Sequence, residues 1–123
     1  MIISNTGRTL YNGYDVASTN YVYTENASVG ADDGWHPARA DHIAIQLCCA
    51  TLNASSLTYR IEGRSKTYTR PCDIYNASIP SAQDIDTIVN ISEHVDEVRL
   101  GVKITGVATP NNFYAGLILA ESK

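Results

Sequence analysis

Val98-Arg99-Leu100-Gly101-Val102-Lys103-Ile104-Thr105 places an apolar residue at every second position. Val98, Leu100, Val102 and Ile104 fall on one face, and Arg99, Lys103 and Thr105 on the other, the pattern of a strand buried on one side. A turn-rich segment, Gly106–Asn112, follows. Phe113-Tyr114-Ala115-Gly116-Leu117-Ile118-Leu119-Ala120 then reads as a second strand, apolar on both faces. Such a strand is either central in a packed sheet or covered by another subunit. Paired with its neighbour, it would present Tyr114, Gly116, Ile118 and Ala120 outward, beside Arg99, Gly101, Lys103 and Thr105. Uncharged strips of this kind mark a partner surface unless the chain covers them itself, here through Ile2 and Ile3 of an N-terminal arm.

The same period recurs upstream. His42–Ala50 alternates, with Ile43, Ile45, Leu47 and Cys49 inward, and Leu57–Glu62 repeats the pattern with Leu57, Tyr59 and Ile61. Ile85–Ser92 places Ile85, Thr87, Val89 and Ile91 on one face. Tyr21–Thr24 reads as a further strand, and Asn12-Gly13 as a turn. Lys66–Tyr75 is strand-like but contains Pro71, which cannot donate to a ladder, so it is an edge strand or two short pieces. Met1–Arg8 is an arm or a short first strand. No window carries a helical stripe. About seven or eight short strands near ten-residue spacing predict an all-β chain, a two-sheet antiparallel β-sandwich. The uneven loops favour a jelly roll. The 123 residues form one domain, 1–123, with a possible arm at 1–10.

Charged residues make up 18% of the chain, fewer than in typical globular domains, and the net charge is −4 with nine Lys and Arg. This speaks against a phosphate-binding footprint and therefore against a nucleic-acid partner. Eight Tyr stand against one Phe. Tyr suits interfaces, where its large ring and polar tip both find use, and is equally a good strand former. No apolar run reaches the length of a membrane span, and no signal peptide is visible, so synthesis as a soluble intracellular chain is expected. Cys48, Cys49 and Cys72 make an odd count, read as buried free thiols.

Catalytic chemistry finds no support. The nucleophile-elbow, zinc-protease and phosphate-loop motifs are missing from the sequence, and Cys49 and His42 face oppositely on one strand. The chain is read as a non-enzyme with no cofactor and no metal. Asp32-Asp33, His36, Asp41-His42 and Glu93–Glu97 lack ligand spacing and read as solvated turn residues. Four Asn-x-Ser triplets, at Asn26, Asn53, Asn76 and Asn90, are read as turn chemistry. Sugar binding is a second option, with Trp35 beside Asp32 and Asp33, or Tyr11, Tyr14, Tyr21 and Tyr23, as platforms. A loop Trp is more often a lid on the core.

Several stretches resemble the small β-sandwich virion proteins of tailed bacteriophages, particularly capsid cement or decoration proteins. They are Gly34-Trp35, the strand His42–Ala50, Leu57-Thr58-Tyr59-Arg60-Ile61-Glu62-Gly63, Val98-Arg99-Leu100-Gly101-Val102-Lys103, and Pro110-Asn111-Asn112-Phe113-Tyr114-Ala115-Gly116-Leu117-Ile118. The resemblance spans about two-thirds of the chain. It implies a location on the outer surface of the virion head, the major capsid protein as partner, and self-association as a dimer or trimer. On this reading Ile2, Ile3, Trp35, Asn111, Phe113, Tyr114 and Ile118 are contact residues, and the arm Met1–Leu10 orders on binding. The competing expectations are a glycan- or receptor-binding module, a head–tail connector or a tail component.

Overall fold

A computed structural model describes residues 3–26, 30, 32–40, 42–49, 56–68, 70–80, 85–93, 95–106 and 112–122. They build eight strands: β1 (Ile3–Asp15), β2 (His36–Pro37), β3 (His42–Cys49), β4 (Ser56–Arg64), β5 (Cys72–Pro80), β6 (Ile85–Ile91), β7 (Glu97–Thr105) and β8 (Asn112–Ser122). Two four-stranded antiparallel sheets face each other, one ordered β1-β8-β3-β6 and the other β2-β7-β4-β5. Every connection except β4–β5 crosses from one sheet to the other, which makes this β-sandwich a jelly roll.

The alternation read in the sequence sets the inward faces. Ile43, Ile45, Leu47 and Cys49 of β3, Leu57, Tyr59 and Ile61 of β4, and Val98, Leu100, Val102 and Ile104 of β7 all enter the core. From β8 come Phe113, Ala115 and Leu117, so this strand, flanked by β1 and β3, is the central one its apolar composition called for. β7 and β8 lie in different sheets, however, so their outer faces are not neighbours. Phe113 is wholly buried and packs edge-to-face on Tyr11 at 5.4 Å. It is therefore a core residue and no partner contact: β8 begins at Asn112, so position 113 already falls on the inward beat.

Of the two readings of the N-terminal segment, an arm or a first strand, the described residues form the strand. The backbone from Ile3 onward pairs with β8 in a register that runs from Ile3↔Ser122 to Asp15↔Asn112. β1 therefore lies beside β8 in the same sheet and leaves the outer face of β8 uncovered. Met1, Ile2 and Asn111 lie outside the described residues. The Asn12-Gly13 turn is a bulge within β1. Gly13 sits at φ 67° where the register slips between Asn12 and Tyr14, because the left-handed conformation that favours such turns also accommodates an extra residue in a ladder. Tyr21–Thr24 forms no full strand. Only Val22 pairs, by two 3.0 Å backbone bonds with Val102. Pro71 precedes β5, which is an edge strand as expected, though it extends to Pro80. Consequently Asn76 lies on β5 and Asn90 on β6, both exposed, and neither is a turn residue. Cys49 is buried and Cys48 half-buried, whereas Cys72 is exposed.

Candidate interaction surface

The outer face of the β1-β8-β3-β6 sheet follows from register. Thr9, Gly116, Gln46 and Ile88 form one row across the four strands, and Gly7, Ile118, Ala44 and Asn90 the next. Tyr114, Cys48 and Asp86 form a third row, and Ala120 and His42 a fourth. Small residues predominate, so the face is shallow. Ile88 is 56% exposed and Tyr114 47%. Among the described side chains of these rows the acid is Asp86, on edge strand β6, and the imidazole is His42, at one end. A nearly uncharged face four strands wide sheds its water at small cost, because few charges must be desolvated.

At the end of this face near the start of β8, the bulged part of β1 and the missing side chain of Gly116 open a groove. Its cavity is about 290 Å³, lined by Thr9, Tyr11, Asn12, Gln46, Cys48, Tyr114, Ala115 and Gly116. The Tyr114 ring leans over Gly13, where an added Cβ would lie 3.2 Å from the phenol oxygen. The backbone N–H of Asn12 donates to the Glu25 carboxylate, tying the groove wall to the segment that follows β1.

The opposite sheet has a different exterior. Arg99 and Gly101 occupy the outward beat of β7 yet are buried, because Tyr21, Tyr23, Gly30, Asp33 and Trp35 lie across them. The Arg99 guanidinium lies 3.6 Å from the Tyr23 ring centre and 4.7 Å from that of Trp35. It bonds Glu62 at 3.0 Å and donates to the carbonyls of Gly30 and Asp33 at 2.9 and 3.1 Å. Arg64 stacks on Trp35 at 4.2 Å and pairs with Glu97 and Asp32. Arg60 and Lys103 flank the Tyr21 ring at 4.9 and 4.6 Å. Burial raises the phenol pKa of Tyr21 and Tyr23, and the bond to Asp73 holds Arg60 more firmly protonated. Gly101 is required beneath the roof: a Cβ there would stand 2.5 Å from the Tyr23 ring.

The residues singled out from sequence therefore separate. Trp35 lies against two guanidinium groups on one exterior face, and Asp32 pairs with Arg64 there. Tyr11 and Tyr14 pack together at 5.5 Å, Tyr11 within the core. Tyr114 and Ile118 lie on the other exterior face and share one patch. Sequence reading missed Gln46, Thr9 and Asn12 as groove residues. The available signal was the outward parity of Gln46 opposite Gly116.

These features define an eight-stranded jelly roll with one roofed exterior and, among the described residues, one bare and nearly uncharged exterior. No protein-family model matches the chain, and no curated protein matches it in sequence. Among solved structures it resembles YomS, a protein derived from the SPBc2 prophage, with a TM-score of 0.54 and 11% identity over 98% of this chain and 96% of that one. It also resembles murine APRIL, with a TM-score of 0.54 and 4% identity over 94% and 99% of the two chains. The third is VP2 of an infectious bursal disease virus subviral particle, with a TM-score of 0.50 and 11% identity over 97% of this chain and 33% of that one. At these identities the likeness is one of fold, a fold that this chain shares with prophage and viral proteins.

Proposed function

We propose that this chain is a virion structural protein, specifically a capsid cement or decoration protein that clamps neighbouring major capsid subunits on the outside of a phage head. The observation that carries this reading is the nearly uncharged sheet face, bare among the described residues, above all its half around Gly7, Ala44, Ile118 and Ala120. A rigid sandwich with such a face binds a preformed surface without an ordering cost. Self-association as a dimer or trimer would repeat the face. Weak individual contacts then sum over a shell into a large collective resistance to internal pressure. The fold shared with YomS and VP2 supports the reading at the level of architecture.

The test is occupancy. Particles from the source are quantified for this chain against the major capsid protein, then stripped and re-bound with wild type and with Ile118→Glu. A copy number comparable to that of the capsid subunits, with re-binding lost in the variant, is the expected result. A few copies per particle would place the chain at a neck or tail instead. Absence from particles would overturn the proposal.

A further inference from the structure

The groove at the Tyr114 end of the bare face has a composition that shell docking does not require. Five of its linings carry hydrogen-bonding or polarisable tips: the hydroxyls of Thr9 and Tyr114, the amides of Asn12 and Gln46, and the thiol of Cys48. No Asp, Glu, Lys, Arg or His among the described residues lines it. Among the described residues, the Thr9 hydroxyl, the Gln46 amide and the Tyr114 hydroxyl make no hydrogen bond to protein. Their capacity faces the groove and water. The floor is Gly116, and the wall is a tyrosine half exposed and braced on Gly13.

We propose that this groove binds a neutral sugar ring. A pyranose presents two kinds of surface, a rim of hydroxyls and a face of C–H groups. Amides bond neighbouring hydroxyls as donor and acceptor at once, and an aromatic ring accepts the C–H face. The lining offers both. Its lack of charge selects against anionic ligands, which would be desolvated here without a counter-ion. A cavity of about 290 Å³ stands at the small end of ligand sites and suits one ring of a longer glycan, with the open side accepting the rest of the chain. The bracing of Tyr114 on the positive-φ bulge fixes the platform before the ligand arrives, which lowers the ordering cost of binding. The groove spans Tyr114 to Gly116, two to four residues along β8 from Ile118, roughly 7–13 Å at strand rise, so a shell contact running from Ile118 toward Ala120 leaves the Tyr114 end open. The same hydroxyl chemistry comes from cell-surface glycans and from free sugars.

Gly116 supplies a clean probe. A Cβ there would meet only the Arg8 carbonyl at 3.7 Å, an ordinary contact, so Gly116→Leu fills the groove floor without forcing the backbone. The experiment titrates labelled wild-type protein with N-acetylglucosamine, galactose, mannose and maltose, and with glucuronate as the anionic control, following amide shifts by NMR. Immobilised neutral glycans then separate a cell-surface source from free sugar. The expected result is saturable shifts at Asn12, Gln46, Tyr114 and Gly116 for at least one neutral sugar, little response to glucuronate, and binding weakened about tenfold or more in Gly116→Leu and Tyr114→Ala. Silence to all four neutral sugars, shifts located elsewhere, an equal response to glucuronate, or unchanged binding in a folded Gly116→Leu would each overturn the site. Particle occupancy of Gly116→Leu, measured in parallel, keeps the two proposals apart. Occupancy retained with sugar binding lost supports the groove, whereas occupancy lost with no sugar bound by wild type assigns the groove to docking and overturns it as a sugar site.

Discussion

Replacing Glu62 by Leu strands a buried cation. The Arg99 and Glu62 side chains are 4% and 5% exposed and bond each other at 3.0 Å between β7 and β4. Breaking a buried ion pair on one side costs about 3–5 kcal/mol, because the remaining charge stays desolvated. Here Arg99 keeps the carbonyls of Gly30 and Asp33 and the faces of Tyr23 and Trp35, which places the cost at the lower end, about 3 kcal/mol. For a domain of this size that is a loss of about 10 °C in Tm, or about 2 M in the urea midpoint. The assay is urea unfolding followed by Trp35 fluorescence, since the single Trp belongs to the cluster, with far-UV circular dichroism as the second probe. The double variant Glu62→Leu with Arg99→Met removes both charges and is expected to regain more than half of the lost stability. A Glu62→Leu protein within about 0.5 kcal/mol of wild type would refute the reasoning, as would a double variant that is less stable than Glu62→Leu alone.

Three further outcomes follow from the same geometry. Tyr11→Phe removes the hydroxyl that sits 2.8 Å from the Leu100 carbonyl and 3.0 Å from that of Val22, and should cost about 1–2 kcal/mol by chemical denaturation. Gly34→Ala places a Cβ 2.4 Å from the Tyr23 carbonyl oxygen at φ 77° and should destabilise by about 2–3 kcal/mol, with the Tyr21–Tyr23 segment losing amide-exchange protection first. Burial pushes the Tyr59 phenol up to about 12 and raises that of Tyr11 as well, so the unfolded chain ionises first. Stability should be full below pH 10 and decline between 10 and 12, and Tyr59→Phe should flatten that decline in a pH series of denaturant midpoints.

The inward faces were legible because a strand has a side-chain period of two and Ile43, Ile45 and Leu47, or Val98, Leu100 and Val102, keep it without interruption. The pairing of β1 with β8 was not. Ser4-Asn5-Thr6-Gly7 has the look of a flexible arm, and what orders it is the backbone of a strand more than 100 residues away. The roof was illegible for a related reason. Tyr21, Tyr23 and Trp35 ride on irregular backbone, and their cations come from β4 and β7; Gly30 and Asp33 lie 69 and 66 residues from Arg99. Tyr114 and Ile118 were placed on an outer face by parity alone, and they lie there. The groove between Tyr114 and β1 depends on a bulge, which local sequence signals only as a glycine.

The place of β8 between β1 and β3 has a consequence for how the chain comes to be folded. β8 follows the other seven strands in chain order, yet it occupies an interior position of its sheet. Until it has been synthesised and inserted, β1 has no partner and β3 is bonded on one side only, to β6. A nascent chain therefore carries one unpaired strand, β1, and one open edge, on β3, that await a common keystone. Loop closure across nearly the whole chain must precede the reward, so folding is slow and late. In that interval the waiting edges invite capture by a second chain, and a copy that supplies its β8 to a neighbour would form an exchanged dimer with every native bond intact.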